Sequence, residues 1–153
     1  MVIFVALHIL SMFTAVTLLM GEALLYALAI RRRDVRALAS VHSLIGGRPV
    51  IGASLFLAGI VFGLLTAATG GIDFFKGWLI AAYVLVAALL LFNGSPPVQR
   101  LPQLGREAVE AEAGRRPVEE VVRGMEKSPA PLLAAINAAL FVAIIVDMVV
   151  KPF

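Results

Sequence analysis

Three ionisable side chains lie inside long apolar stretches of the chain, where a charge is costly unless it is paired. They are His8, Glu22 and Asp147. A histidine at such a position suits a metal or haem ligand or a proton carrier, and a carboxyl suits a proton or cation site. Each also has a purely structural interpretation, as a neutral side chain that is hydrogen-bonded to its neighbours. These three residues are the starting point for any functional interpretation.

Glu22 has two polar neighbours at a similar depth. It precedes Arg31 by nine positions, and the helical rise then places it about 13 Å from that charge, near the middle of a bilayer. Asn137 enters the membrane from the same side, so we expect a hydrogen bond between the Glu22 and Asn137 side chains. Tyr26 shares the Glu22 face at i+4. These three residues form the predicted intramembrane polar group, with Glu22 as the carrier site of a metal or proton transporter.

His8 belongs to the opposite half of the membrane, where Asp147 and Tyr83 are predicted to join it in a small polar cluster. A haem b with His8 as one axial ligand and Met148 as the other fits the His/Met ligation of some cytochromes, with Tyr83 and Asp147 around it. A second copy of the chain is the alternative source of the other ligand. Copper has a candidate site in His8, Met12 at i+4 and Met148.

No complete catalytic constellation is present in the sequence, and we predict no catalytic residues. The second histidine, His42, falls in a loop, where an exposed imidazole needs no functional explanation. The chain has no cysteine, which excludes disulfides, thiolate metal ligands and cysteine nucleophiles.

Four apolar stretches must position these residues. They cover residues 2–30, 50–69, 77–92 and 131–150, each close to the roughly 20 residues that a membrane-spanning helix requires. The chain is 61% hydrophobic and 15% charged, which is too apolar for a soluble domain of this size. The sequence therefore predicts an all-α polytopic membrane protein, a four-transmembrane-helix bundle that forms one domain over residues 1–153.

The distribution of basic residues predicts how this bundle is oriented. Of the 13 Lys and Arg residues, five lie in the loop 31–49 and six in the loop 93–130. The positive-inside rule makes both loops cytoplasmic and places both termini outside, in a bacterial inner membrane. The net charge of +3 is explained by this orientation, and no nucleic-acid partner is expected.

Glycines in the second stretch predict close helix packing. Gly59 and Gly63 form a small-xxx-small pair, and Gly52 lies two turns earlier. Small residues at this spacing let a neighbouring backbone approach closely.

The loop 93–130 contains one predicted amphipathic helix. After Pro117, apolar residues recur at helical spacing with charged residues on the other side. This helix should lie on the cytoplasmic face, either solvated or docked onto a partner protein.

Short apolar motifs give the chain a resemblance to a known family. The motifs are Leu7, His8, Ile9 and Leu10, then Gly77, Trp78 and Leu79, and finally Met148, Val149, Val150, Lys151 and Pro152. Over nearly its whole length the chain resembles an uncharacterised bacterial family of small four-helix integral membrane proteins. It is distantly similar to copper-resistance D-type domains and to the haem-binding membrane protoporphyrinogen oxidase, both of which have a histidine in an early helix that His8 matches.

Three functions remain open at this point. The first is a noncatalytic membrane subunit or accessory protein that packs within a larger complex or a homo-oligomer, with the lipid bilayer as its other partner. The second is a haem- or quinone-associated protein of electron transfer or tetrapyrrole metabolism that uses His8. The third is a metal or proton transporter that uses Glu22.

Overall fold

The computed structural model describes residues 2–45 and 49–151, and these residues form eight α-helices and no β-strand. The helices are α1 (Val2–Arg32), α2 (Val35–Ile45), α3 (Pro49–Thr69), α4 (Gly77–Asn93), α5 (Pro96–Gln99), α6 (Leu101–Glu112), α7 (Val118–Glu126) and α8 (Ala130–Val150). The all-helical prediction is confirmed. Arg48 of the first predicted loop and Pro152 of the terminal motif lie outside the described residues.

Three of these helices, α1, α3 and α8, are long and apolar enough to cross a membrane. The fourth apolar stretch forms α4, which has 17 residues and joins the segment Pro96–Glu112 across a bend of 49°. By length and composition, the described chain therefore has three helices able to span a membrane, or up to four if the bent pair counts as one span. With 31 residues, α1 is about 46 Å long, so it exceeds the hydrocarbon layer and extends beyond it.

The apolar helices pack in the order α3, α1, α8, α4. The first helix packs against both α3 and α8, and α4 packs against α8, whereas α3 and α4 make few contacts with each other. The bundle has two different ends. The arginine-rich end contains the end of α1, the helices α2, α5, α6 and α7, and the start of α8, and the Trp78 end contains the turn between α3 and α4.

Close approach between α1 and α3 depends on three glycines. A Cβ atom on Gly59 would lie 2.5 Å from Met12 Sδ, and one on Gly63 would lie 3.0 Å from His8 Cε1. A Cβ atom on Gly52 would lie 2.9 Å from Leu19 Cδ2. The side chains of α1 thus occupy the space that a larger residue on α3 would need, which is how small residues bring two helices together in a membrane.

An aromatic pair joins α3 to α8 in the middle of the bundle. The rings of Phe56 and Phe141 meet edge to face, with centroids 6.1 Å apart and planes at 89°. Ala15 of α1 belongs to the same apolar cluster and is fully buried. A small residue at this position of α1 leaves room for the two rings, whose edge-to-face geometry is favourable in its own right.

A second apolar core lies at the arginine-rich end, where α2, α6 and α7 pack against the last turns of α1. Its buried side chains include Ile30, Leu38, Ala108, Val121 and Met125. Exposed ion pairs cross its surface, among them Arg33 with Glu126 at 3.0 Å. This end of the molecule is a packed helical layer rather than a pair of solvated loops.

The sequence predicts a loop over residues 31–49, and the structure instead has α2 there. The carboxylate of Asp34 accepts a hydrogen bond from the Ala37 N–H at 2.9 Å, which caps the start of the helix. Buried Val35, Leu38 and Ala39 then form one apolar face.

The predicted amphipathic helix of the loop 93–130 corresponds to α7, and α5 and α6 precede it. Each of these two has a proline in its first turn, where the missing N–H costs nothing.

Candidate functional site

A cavity of about 440 Å³ opens between the apolar helices on the side nearer the arginine-rich end. Its lining residues come from α1, α3, α4, α5, α6 and α8, and most of them are apolar. Phe56 and Phe141 line it towards the centre of the bundle, and Val98, Leu101 and Pro102 line it towards the arginine-rich end. Its volume falls in the range of about 300–1,000 Å³ that is typical of small-molecule sites.

One wall of this cavity is polar and is held together by amide side chains. Asn93 at the end of α4 donates to the Leu89 carbonyl at 2.9 Å and to Asn137 Oδ1 at 3.2 Å. Asn137 in turn donates to Met20 Sδ at 3.8 Å, and Gln99 Nε2 donates to the Asn93 carbonyl at 3.0 Å. These bonds connect α1, α4, α5 and α8 around the cavity.

Glu22 lines the same cavity and is half-buried. Within the described residues its carboxyl group has neither a hydrogen bond nor an ion pair, so the expected bond to Asn137 is not formed there. Asn137 bonds to Asn93 and Met20 instead. Glu22 and Asn137 both line this cavity, as their similar depth along the helices predicts. The amide group that bonds to Asn137 belongs to Asn93. Asn93 was not among the residues predicted for this polar group.

Tyr26, the third residue of the predicted polar group, also lines the cavity, and its hydroxyl bonds to His42. The Tyr26 hydroxyl lies 2.6 Å from His42 Nδ1, and the two rings meet edge to face at 89°. The His42 ring rests on Gly105 of α6, where a Cβ atom would lie 2.6 Å from Nδ1. Burial, together with the nearby Arg106 guanidinium, lowers the pKa of His42 from its ordinary 6.5. His42 is thus a half-buried packing residue, and the interpretation of it as an exposed loop histidine is wrong.

His8 faces α3 on the other half of α1. Its Nδ1 lies 2.7 Å from the Gly59 carbonyl oxygen, and because a carbonyl only accepts, Nδ1 carries a proton and donates this bond. Met12 lies against the same glycine. Metal-binding histidines usually hold one ring nitrogen in such a bond and bind the metal with the other.

The other residues predicted around His8 lie on α4 and α8. Asp147 is 8% exposed, and its Oδ2 has no hydrogen-bond partner in the described part of the chain. Tyr83 is 40% exposed on α4, and Met148 packs against apolar residues near Trp78. Over residues 2–45 and 49–151, no three His, Asp or Glu side chains come close enough to hold a metal ion.

A comparison with protein families found one family model that matches nearly the whole chain. A family model described as "Predicted integral membrane protein (DUF2269)" matches residues 2–152. The chain belongs to this family. No curated protein and no solved structure matches it. Membership makes the chain an integral, multi-pass membrane protein and assigns it no activity.

In this DUF2269 protein, two exposed leucines border the cavity. Leu57 of α3 and Leu90 of α4 both line it and are 56% and 50% exposed. The contacts between α3 and α4 are few. The exposed Gln99 of α5 also lines the cavity, at the arginine-rich end.

Proposed function

We propose that this chain is a noncatalytic membrane protein that binds an amphiphilic molecule in the cavity beside Glu22. One observation carries the proposal: a largely apolar cavity of about 440 Å³ with a polar wall, bordered by the exposed Leu57 and Leu90 of two apolar helices. In a bilayer these leucines would face lipid, and the cavity would be open to hydrocarbon between α3 and α4. An amphiphile already in the bilayer would reach it directly, with its chain on the apolar lining and its polar group at the amide wall.

The proposal includes four membrane spans, with α4 as the short one. Seventeen residues in α4 extend about 25 Å, which a bilayer accommodates by local thinning or by help from flanking residues. All described Lys and Arg residues except Lys76 and Lys151 collect at the arginine-rich end. This distribution supports a cytoplasmic location for that end, with both termini outside, in the inner membrane of a bacterium.

The accessory role extends to partners, either other membrane subunits or further copies of the chain. The largely apolar outer surface of α3 and α8 is compatible with both lipid and protein neighbours, since each satisfies the same side chains. Mass measurement of the protein in nanodiscs distinguishes a lone chain from an oligomer or a complex.

The binding proposal is tested with a photoactivatable dodecanol in phosphatidylcholine nanodiscs. Crosslinks located by mass spectrometry should concentrate on the cavity residues Ala53, Leu57 and Leu90. Ala53→Trp, which adds a large side chain to the lining, should reduce this labelling by at least about fivefold, since it removes the volume that the probe occupies.

Ala135→Trp is the matched control. Ala135 is an exposed alanine on α8 that does not line the cavity, so its replacement should leave the pattern intact. Labelling spread evenly over the lipid-facing surface, or equal in the two variants, would contradict the binding proposal.

A second candidate is a haem protein, because Nδ1 of His8 bonds to a backbone carbonyl and leaves Nε2 free to bind iron. This candidate is also what the distant likeness to the haem-binding oxidase would imply. Its test is the visible spectrum of the purified protein, oxidised and then reduced. A Soret band that disappears in His8→Ala supports it, and a colourless folded protein excludes it.

A further inference from the structure

The polar atoms that remain open on the cavity wall include several acceptors. Asn93 uses both of its side-chain N–H groups within the protein, and Asn137 directs one of its two towards Met20. Gln99 donates to the Asn93 carbonyl and keeps its side-chain oxygen free. The Glu22 carboxyl has no hydrogen-bond partner in the described chain, and its oxygens are not sealed from the surroundings. A ligand at this wall therefore meets the two oxygens of the Glu22 carboxyl and the Gln99 side-chain oxygen, together with one free N–H each of Asn137 and Gln99.

Glu22 also lacks a cation of its own. The four ion pairs of the described residues all lie at the arginine-rich end, and each joins an exposed or half-exposed Arg to a Glu of α6 or α7. A carboxyl in apolar surroundings is stabilised either by taking up a proton or by pairing with a positive charge. No Lys or Arg of the described residues forms an ion pair with Glu22, so a bound cation would be its pairing partner.

Aromatic rings line the same space. Tyr26, Phe56 and Phe141 all contribute to the cavity that contains the Glu22 carboxyl. The faces of such rings attract organic cations, and the attraction grows when water is excluded. Carboxylate, carbonyl oxygen and aromatic rings together favour one class of polar group, a positively charged nitrogen.

We propose that the molecule bound in this cavity is a lipophilic cation, whose charged nitrogen pairs with Glu22 while its hydrocarbon chain lies along Leu57 and Leu90. This inference rests on the proposed binding function and gives it a ligand class. Anionic amphiphiles are disfavoured because they would bring a second negative charge to Glu22. Neutral amphiphiles fit the apolar lining but leave the carboxyl unpaired.

Three competitors with the same dodecyl chain test the ligand class. Dodecyltrimethylammonium, dodecanol and dodecyl sulfate are each added, below the concentrations at which they form micelles, to nanodiscs labelled with the photoactivatable dodecanol. The cation should displace the probe at a concentration at least about tenfold lower than dodecanol does, and the sulfate should be the weakest of the three. Glu22→Gln should bring the ratio between cation and alcohol close to one.

Glu119→Gln is the charge-matched control, since Glu119 is exposed on α7 outside the cavity, and it should keep the wild-type ratio. Equal displacement by cation and alcohol in the wild-type protein would overturn the cation assignment and leave the binding function standing. Absence of specific labelling by the probe itself would overturn both. The comparison of head groups on the wild-type chain needs no variant, so it is decisive even if Glu22→Gln fails to fold.

Discussion

The Tyr26 hydroxyl and His42 Nδ1 are 2.6 Å apart, and this hydrogen bond ties the wall of the cavity to the helical layer at the arginine-rich end. Tyr26 is 3% exposed and belongs to the apolar core of that layer. In the tautomer that leaves Nδ1 without a proton, Nδ1 accepts the hydrogen bond from the Tyr26 O–H, and this form of the bond requires an uncharged His42. The cavity and the layer are thus coupled through one imidazole.

This coupling predicts a dependence of stability on pH. Burial and Arg106 lower the pKa of His42 below 6.5, so the folded protein binds fewer protons than the unfolded chain in the pH range below that value. The stability from neutral His42 is therefore complete above about pH 6.5 and is lost as the pH falls through the lowered pKa. Histidine labelled for NMR measures the pKa directly, because the chain has only two histidines and His42→Asn identifies which signal is which.

His42→Asn also serves as the stability control. Asparagine keeps an acceptor near the Nδ1 position and does not titrate, so this variant should lose less stability than the wild type between pH 7.5 and pH 5.5. A His42 pKa at or above its ordinary value would contradict the prediction.

Gly105→Ala should disrupt the same junction. The new Cβ atom would lie 2.6 Å from His42 Nδ1, 2.7 Å from Cγ and 2.9 Å from Cβ, so the whole imidazole must move. We expect a loss of about 1–3 kcal/mol in the free energy of unfolding, as for other overpacked sites. Survival of monodisperse protein after heating, measured by size exclusion, reports the change. Gly21→Ala in α1, where a Cβ atom meets nothing within 4 Å, is the matched control and should cost nothing.

The long apolar helices could be predicted from the sequence because their composition alone specifies them. Helices occupy all four apolar stretches, since a long run of apolar residues has no stable alternative to a helix in lipid. The position of Glu22 and Asn137 at one depth followed from counting residues along their helices. Glu22 was placed by the helical rise from Arg31, and Asn137 by the number of residues from the start of its own stretch on the same side.

The hydrogen bonds around Glu22 could not be predicted from the sequence in this way. Depth does not fix the rotation of a helix about its axis, so the sequence could not show that Asn137 would bond to Asn93 instead. Asn93 itself stands in a segment whose glycine and prolines signal only the end of a helix. The cavity depends on the separation between α3 and α4, which is a property of the packed bundle and has no local signal.

The layer at the arginine-rich end was underpredicted for a different reason. Its helices are short, and their stability comes from burying one face against neighbouring helices. Leu38 is fully buried in α2, and Ala108 is fully buried in α6. The arginines that precede and begin α2 led to the prediction of a loop, although Val35, Leu38 and Ala39 have the spacing of the apolar face of a helix.

Gly59→Ala tests the close contact between α1 and α3. The Cβ atom would lie 2.5 Å from Met12 Sδ and 2.8 Å from Cγ, so the thioether must find another rotamer. The cost should be about 1–2 kcal/mol, smaller than at Gly105 because Met12 is flexible. In a double-mutant cycle, Met12→Ala should remove most of this penalty, and additive effects of the two substitutions would show that the contact is not where the strain arises.

Asp147→Val should stabilise the bundle. Asp147 is buried near the Trp78 end, and its Oδ2 has no hydrogen-bond partner among the described residues. A valine of similar size removes this unsatisfied group, and we expect the free energy of unfolding to rise by about 1–2 kcal/mol in mild detergent. Asp73→Val is the contrasting variant, because the Asp73 carboxylate accepts the Phe75 N–H at 2.9 Å in the turn between α3 and α4. That substitution should lower stability, and a loss of stability in both variants would show that the buried carboxyl of Asp147 makes a favourable interaction in the folded bundle.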